Sequence, residues 1–140
     1  MNVLFVCRGN AGRSQIAEEI FNKKFAGIHT SKSVGTKVVD KDGNSVHGMK
    51  LKEFSGIDKV VQVLSELGIE AGENTRDQLS EDMLKDFDKV VIMAEENTIP
   101  DYLKKVPGAI YWDIRDPKEE DLDTTRIIRD EISAKIDETF

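Results

Sequence analysis

Apolar positions along this chain follow two spacings, and the alternation between them predicts its elements. Val3-Leu4-Phe5-Val6, entered at Asn2, is a short unbroken apolar run ending at a turn. Such a run predicts a parallel strand buried on both faces. Gly9, Asn10 and Gly12 then mark a loop. From Ser14 to Phe25 the apolar residues Ile16, Ala17, Ile20, Phe21 and Phe25 fall on one face of a helix. Thr30–Thr36 reads as a second strand. Lys37–Gly56 is polar, carries Asp42-Gly43, and reads as a long irregular excursion. Val60, Val61, Val63, Leu64 and Leu67 mark a helix that Gly68 terminates. Ser80 is placed to cap a further helix, with Glu81 and Asp82 in its first turn and Leu79 stapled against Leu84. Lys89–Met93 holds the central-strand run Val90-Val91-Ile92. Thr98–Lys105 reads as a short helix, Pro107-Gly108 as a turn, and Ala109–Trp112 as a fourth strand. Ile128, Ile132, Ile136 and Phe140 recur every four residues on a closing helix.

This βα alternation predicts an α/β fold, three layers with a parallel sheet between helices. Right-handed crossovers leave few topologies. The flavodoxin-like arrangement, four parallel strands in the order 2-1-3-4, is the expected one, as one domain over residues 1–140. Ligands in such sheets bind beyond the carboxyl ends of the strands, at the switch point beside the first strand. Cys7 stands at that end.

Charge and cysteine content narrow the setting. The net charge of −7 disfavours nucleic acid and anionic membrane surfaces as partners. No apolar stretch is long enough to span a bilayer. The segment Met1-Asn2-Val3-Leu4-Phe5-Val6 lacks the basic region of a signal peptide. A single cysteine makes no intramolecular disulfide. These features suit the cytoplasm, where a thiol stays reduced.

The chemistry concentrates in Cys7-Arg8-Gly9-Asn10-Ala11-Gly12-Arg13-Ser14, between the first strand and the first helix. Successive backbone N–H groups in such a loop converge on an anion, and the helix start adds donors and partial positive charge. Gly9 and Gly12 permit close approach and positive φ, and Asn10 tolerates the left-handed region. Arg13 offers a planar fork for two phosphate oxygens. The same field favours the thiolate of Cys7, to which the Ser14 hydroxyl is placed to donate. A lone cysteine is more often a small buried hydrophobe. Here the strand before it, the helix behind it, and the Gly-Asn and Arg-Ser pairs favour a nucleophile that forms a cysteinyl-phosphate. Cys7 and Arg13 are therefore the candidate catalytic residues. Arg8, Gly9, Asn10, Ala11, Gly12 and Ser14 are the candidate substrate-binding ones.

Val3 through Ser14 resembles the phosphate loop of the low-molecular-weight protein tyrosine phosphatase family, a superfamily shared with a class of arsenate reductases. Ser33-Val34-Gly35-Thr36 is similar to the family's second strand, Phe87–Met93 to its third, and Asp116-Pro117 to its late Asp-Pro pair. The resemblance implies the flavodoxin-like fold, no metal and no organic cofactor. It also implies that Asp116 protonates the leaving oxygen as general acid, with Asp113 as nearby competitor. Pro117 restricts the backbone of Asp116 toward extended conformations. The expected ligand is inorganic phosphate or a similar oxyanion, and the expected substrate a phosphorylated protein, above all phosphotyrosine, or a small phosphate ester. Phosphoarginine would use the same loop.

Some residues depart from the family pattern. Well-known phosphatase members carry a second cysteine at the place of Gly12, tyrosines where Lys118 and Glu119 stand, and proline where Gln15 follows Arg13-Ser14. Phe54 is the one aromatic wall in the 37–56 segment. Asn10–Gln15 resembles the arsenate reductases more closely, and a chain with one cysteine would then depend on an external small thiol. A non-catalytic phosphate-binding module is a third reading, disfavoured because binding alone needs neither nucleophile nor acid.

Other polar groups attract no function. His29 and His47 are isolated from metal-ligand spacing. Asp40, Asp42 and Asn44 lack the further oxygen ligands of a calcium loop, because Val46 and Leu51 stand where those are needed. Glu119-Glu120-Asp121 reads as a solvated helix start, and Tyr111 and Trp112 as core.

Overall fold

The structure, a computed structural model, describes residues 1–140. Its sheet has four parallel strands: β1 (Asn2–Cys7), β2 (Thr30–Gly35), β3 (Lys89–Ile92) and β4 (Ile110–Tyr111). Their order is β2-β1-β3-β4, the flavodoxin-like order expected. The α-helices are α1 (Arg13–Lys24), α2 (Asp58–Ser65), α3 (Asp101–Lys104) and α4 (Leu122–Thr139).

The unbroken apolar run of β1 is explained by its central place. Val3, Phe5 and Cys7 face one layer with α1, α2 and α4, beside Ile16, Phe21, Val60, Ile128 and Ile132. Leu4 and Val6 face the opposite layer with Leu79, Ile99 and Leu103. Successive side chains of a strand point to opposite faces, so a strand covered on both sides is apolar throughout. The Cys7 side chain is thereby directed to the α1 side, at the carboxyl end of β1. Phe140 closes α4 against Phe21, with ring centroids 5.2 Å apart.

Several elements differ from the pattern-based expectation. Gly68 ends α2 as predicted, with φ +78 and Ile69 N–H donating back to Leu64 O at 3.1 Å. Ser80 caps nothing with its side chain, because the segment behind it, Glu81–Asp86, is a 3₁₀ turn. Thr98–Lys105 is split: Pro100 disfavours helical backbone at Ile99 and carries no N–H, so a 3₁₀ turn at Glu96–Thr98 precedes α3. Ala109–Trp112 narrows to β4, since the chain turns at Gly108 (φ +72) and leaves the sheet after Trp112 to reach Arg13. Tyr111 is exposed on this edge strand, not core, whereas Trp112 is buried. Asp121 does more than start a solvated helix: its carboxylate accepts from Thr124 N–H at 2.8 Å and caps α4.

The 37–56 segment is no loose excursion. Val38, Val46 and Leu51 are buried. Its backbone pairs with residues 74–76: Arg76 N–H donates to Met49 O and Leu51 N–H to Asn74 O, both at 2.8 Å. These contacts carry Arg76, with Phe54 against it, to the outer side of the Cys7 loop, at the Gly9 carbonyl. No helix is long and apolar enough to cross a membrane.

Candidate active site

Between β1 and α1 the backbone turns its carbonyls outward, each to a named donor. Cys7 O accepts from Thr36 N–H (2.9 Å) and Arg8 O from Lys37 N–H (2.8 Å). Gly9 O accepts from Arg76 Nε (3.1 Å) and Nη2 (3.0 Å). Asn10 O accepts from Gln15 Nε2 at 3.1 Å. In a trans peptide the N–H lies opposite the carbonyl, and no peptide here is cis. The N–H groups of Arg8, Gly9, Asn10 and Ala11 therefore point away from those donors, and they make no hydrogen bond within the protein. Such a row is an anion-binding nest.

The residues at its base are buried and bonded to one another. Asn10 adopts φ +51, the left-handed conformation expected of it. Its Oδ1 accepts from Asp77 N–H at 2.8 Å, which fixes Nδ2 as the donating end. Nδ2 donates to Ser14 Oγ (2.8 Å) and to Ser33 Oγ (2.9 Å). A Ser14 hydroxyl that accepts from Asn10 still has its own hydrogen, and Cys7 Sγ lies 3.0 Å away. The expected Ser14 contact is thus present, and the hydroxyl can donate to a thiolate there. Burial of Glu18, beside Ser33, pushes its carboxyl up to about 7.

Gly9 and Gly12 serve for space, not for positive φ, which neither adopts. A β-carbon on Gly12 would stand 2.6 Å from Pro117 Cγ, and one on Gly9 would stand 3.3 Å from Arg76 Nη2. Pro117 is seated on Gly12, which brings the Asp116 segment onto the loop. There is no room for a cysteine at Gly12 while Pro117 sits there.

Arg13 is buried, with 4% relative exposure. Its Nη1 donates to the carbonyls of Met93 (2.7 Å) and Ile114 (3.2 Å). Its Nη2 lies 2.8 Å from Glu95 Oε1 and 3.7 Å from Asp116 Oδ2. Only Nε and the adjoining edge of Nη2 are left for an oxyanion, so the fork is shared with the protein and not wholly open. Asp116 is exposed, and its Oδ1 accepts from Lys118 N–H at 3.0 Å, the turn that an Asp-Pro pair favours. Asp113 does not touch Arg13. It lines a cavity of about 360 Å³ together with Arg13, Met93, Glu95, Trp112 and Ile114. Arg8 is exposed at the loop's rim.

Two residues here have no counterpart in the sequence reading. Glu95 follows β3 at the same sheet edge as Cys7 and Asp116, so the carboxyl-end rule that singled out Cys7 would have found it. One of its oxygens, Oε2, is buried without a hydrogen-bond partner. Arg76 lies far from any motif, and only long-range pairing brings it here. It is 7% exposed, with its guanidinium 4.6 Å above the centre of the Phe54 ring. The face of Phe54 expected to form an aromatic wall is thus covered by a cation. Burial lowers the pKa of Arg76 and the Cys7 charge opposes that shift. His29 and His47 hold the N-terminal amine and Gln78 N–H, and no three His, Cys, Asp or Glu residues cluster as a metal site.

The model of the low molecular weight phosphotyrosine protein phosphatase family matches residues 2–140 of this chain. The chain belongs to that family. The family's known members include phosphatases and arsenate reductases alike. An arsenate reductase of Brevibacillus brevis is 27% identical over 139 residues, covering 96% of this chain and 90% of the relative. The crystal structure of a low molecular weight protein tyrosine phosphatase from T. tengcongensis is 28% identical, with a TM-score of 0.73 over 98% of this chain and 95% of that one. A thioredoxin-dependent arsenate reductase of Corynebacterium glutamicum is 26% identical with a TM-score of 0.66, over 98% of this chain and 58% of that one. The flavodoxin-like architecture and an enzyme of this family are therefore established for the chain.

Proposed function

We propose that this protein is a cysteine-dependent phosphatase that hydrolyses phosphomonoesters, including those of phosphoproteins, through a cysteinyl-phosphate. The observation that carries the reading is the row of unpaired N–H groups from Arg8 to Ala11 beside Cys7 Sγ. A phosphate dianion seated there gains several charge-assisted hydrogen bonds and the open edge of Arg13. Cys7 Sγ attacks phosphorus in line, the S–P bond forms, and the P–O bond to the leaving group breaks. Asp116 gives its proton to that departing oxygen. Water then attacks phosphorus, the Asp116 carboxylate takes the water proton, and the S–P bond breaks to release inorganic phosphate. The order of events is general acid then general base at one carboxyl. No step draws on a cofactor.

Hydrolysis of p-nitrophenyl phosphate in the presence of a metal chelator tests this. The wild type turns over, and Cys7→Ser, which keeps the loop but lacks the thiolate, does not. Turnover retained in Cys7→Ser would sink the proposal. Asp116→Asn should lose about 10²–10³-fold on a poor leaving group such as an alkyl phosphate, and far less on p-nitrophenyl phosphate. Equal losses on both substrates, or a selective loss only in Asp113→Asn, would remove Asp116 from the acid role.

Arsenate reduction is the second reading, favoured by the arsenate reductase relatives. The same cradle accepts arsenate, and Cys7 Sγ would replace one oxygen on arsenic. With one cysteine in the chain, an external small thiol must attack Sγ. A mixed disulfide then forms, and the S–As electron pair leaves with arsenite. Arsenite production with a small thiol, combined with no phosphatase activity, would move the assignment there.

A further inference from the structure

Resting on the reading of the Arg8–Ala11 row as an oxyanion site, we infer that Arg76 is a positioning residue for that site and the fixed cation of its nucleophile. Two nitrogens of its guanidinium, Nε and Nη2, grip the Gly9 carbonyl at 3.1 and 3.0 Å. Because carbonyl and N–H are opposed across a planar peptide, this grip directs Asn10 N–H to the other side, toward the anion. The neighbouring carbonyls of Cys7 and Arg8 are held by backbone N–H groups of Thr36 and Lys37. Gly9 is the place in the loop where a charged side chain holds a carbonyl. Phe54 locks the guanidinium from its open face at 4.6 Å, and a cation over a ring gains further when desolvated. Arg76 backbone pairing with Met49 and Gly48 fixes the chain from which the side chain extends. Bonded to the Gly9 carbonyl and 7% exposed, this cation is coupled to the Cys7 charge, and burial leaves that coupling little screened. The side chain thus has a geometric function, which lysine cannot reproduce, and an electrostatic one, which it can.

The experiment compares wild type, Arg76→Lys and Arg76→Met by two readouts. The first is inhibition of p-nitrophenyl phosphate hydrolysis by inorganic phosphate. The second is the ratio of Cys7 alkylation rates with iodoacetate and with neutral iodoacetamide, which reports local charge and needs no turnover. Arg76→Lys should weaken phosphate about tenfold, from loss of the paired grip, while its alkylation ratio stays within about twofold of wild type. Arg76→Met should weaken phosphate further and lower the ratio about fivefold. Wild-type phosphate affinity in Arg76→Lys, or a wild-type alkylation ratio in Arg76→Met, overturns the assignment. A wild type that neither hydrolyses the ester nor binds phosphate overturns the reading of the loop instead, and the alkylation ratios still judge the charge of Arg76. Should Arg76→Met not fold, Arg76→Lys carries the positioning test, and its alkylation ratio, if it fell about fivefold, would overturn the electrostatic role.

Discussion

In Arg13→Lys, kcat/KM for p-nitrophenyl phosphate is expected to fall by on the order of 10³, with the fold intact. Arginine at this position does three things with one planar group. Nη1 is spent on two carbonyls at the ends of the sheet, Met93 and Ile114. Nη2 faces Glu95 and Asp116. Nε makes no hydrogen bond within the protein and is left for the anion. Lysine brings a single ammonium that satisfies one of these directions at a time. The buried carbonyls and Glu95 lie closest and will claim it, so the oxyanion loses its side-chain donors. Because the charge on the transferring phosphoryl group grows most in the transition state, the loss falls on kcat more than on substrate binding. Steady-state kinetics together with a thermal melt check this. A drop smaller than about tenfold, in a variant that melts like wild type, would show that backbone N–H groups alone carry the oxyanion.

Gly35→Ala should abolish most activity and also destabilise the protein, by about 1–3 kcal/mol. Gly35 ends β2 directly behind the loop. An added β-carbon would lie 2.6 Å from Arg8 O and 2.8 Å from Asn10 N. Both are backbone atoms of the anion cradle, and neither moves without opening it. The neighbours on the other side are also pinned: Gly35 N–H donates to Asp77 O, and Leu79 N–H donates to Gly35 O, both at 2.8 Å. The strain must then be relieved through the loop, and the peptide whose N–H the anion needs is the one displaced. A melt with and without inorganic phosphate measures both effects. Wild type should be raised by phosphate, while Gly35→Ala should melt lower and respond little. A phosphate-induced shift equal to that of wild type would show that the cradle survives the methyl group.

These two residues were legible to different degrees. Arg13 stands in a strand-loop-helix pattern whose every position carries a local reason, so it could be picked out by residue type and spacing. Gly35 was visible only as part of a resemblance; its physical role is a contact with Arg8 and Asn10, made across the sheet. The same division runs through the fold. β1, α1 and α4 were readable because burial imposes a period on the chain: two opposed faces in β1, and every fourth residue in α4. The helix expected from Ser80 failed because a short amphipathic stretch leaves α and 3₁₀ turns close in energy, and the packing of Leu79 and Leu84 on one cluster decides between them. Pro100 was a breaker within plain view, and its effect on Ile99 is local chemistry that the apolar spacing masked.

By itself the sequence determined the alternation of strands and helices and the strand-loop-helix segment that carries Cys7 and Arg13. Those follow from periodicity and from short-range stereochemistry, which need no distant partner. The order 2-1-3-4 was the expected one of the few topologies that handedness leaves, and Asp116 was singled out by family resemblance. Tertiary structure alone decided that Gly12 makes room for Pro117, that the fork of Arg13 is shared with Glu95 and two carbonyls, and that Arg76 turns Gly9 outward while covering Phe54. Each of these is a contact between segments far apart along the chain. Such contacts depend on the exact register and depth of packing, quantities that residue type and local spacing do not encode.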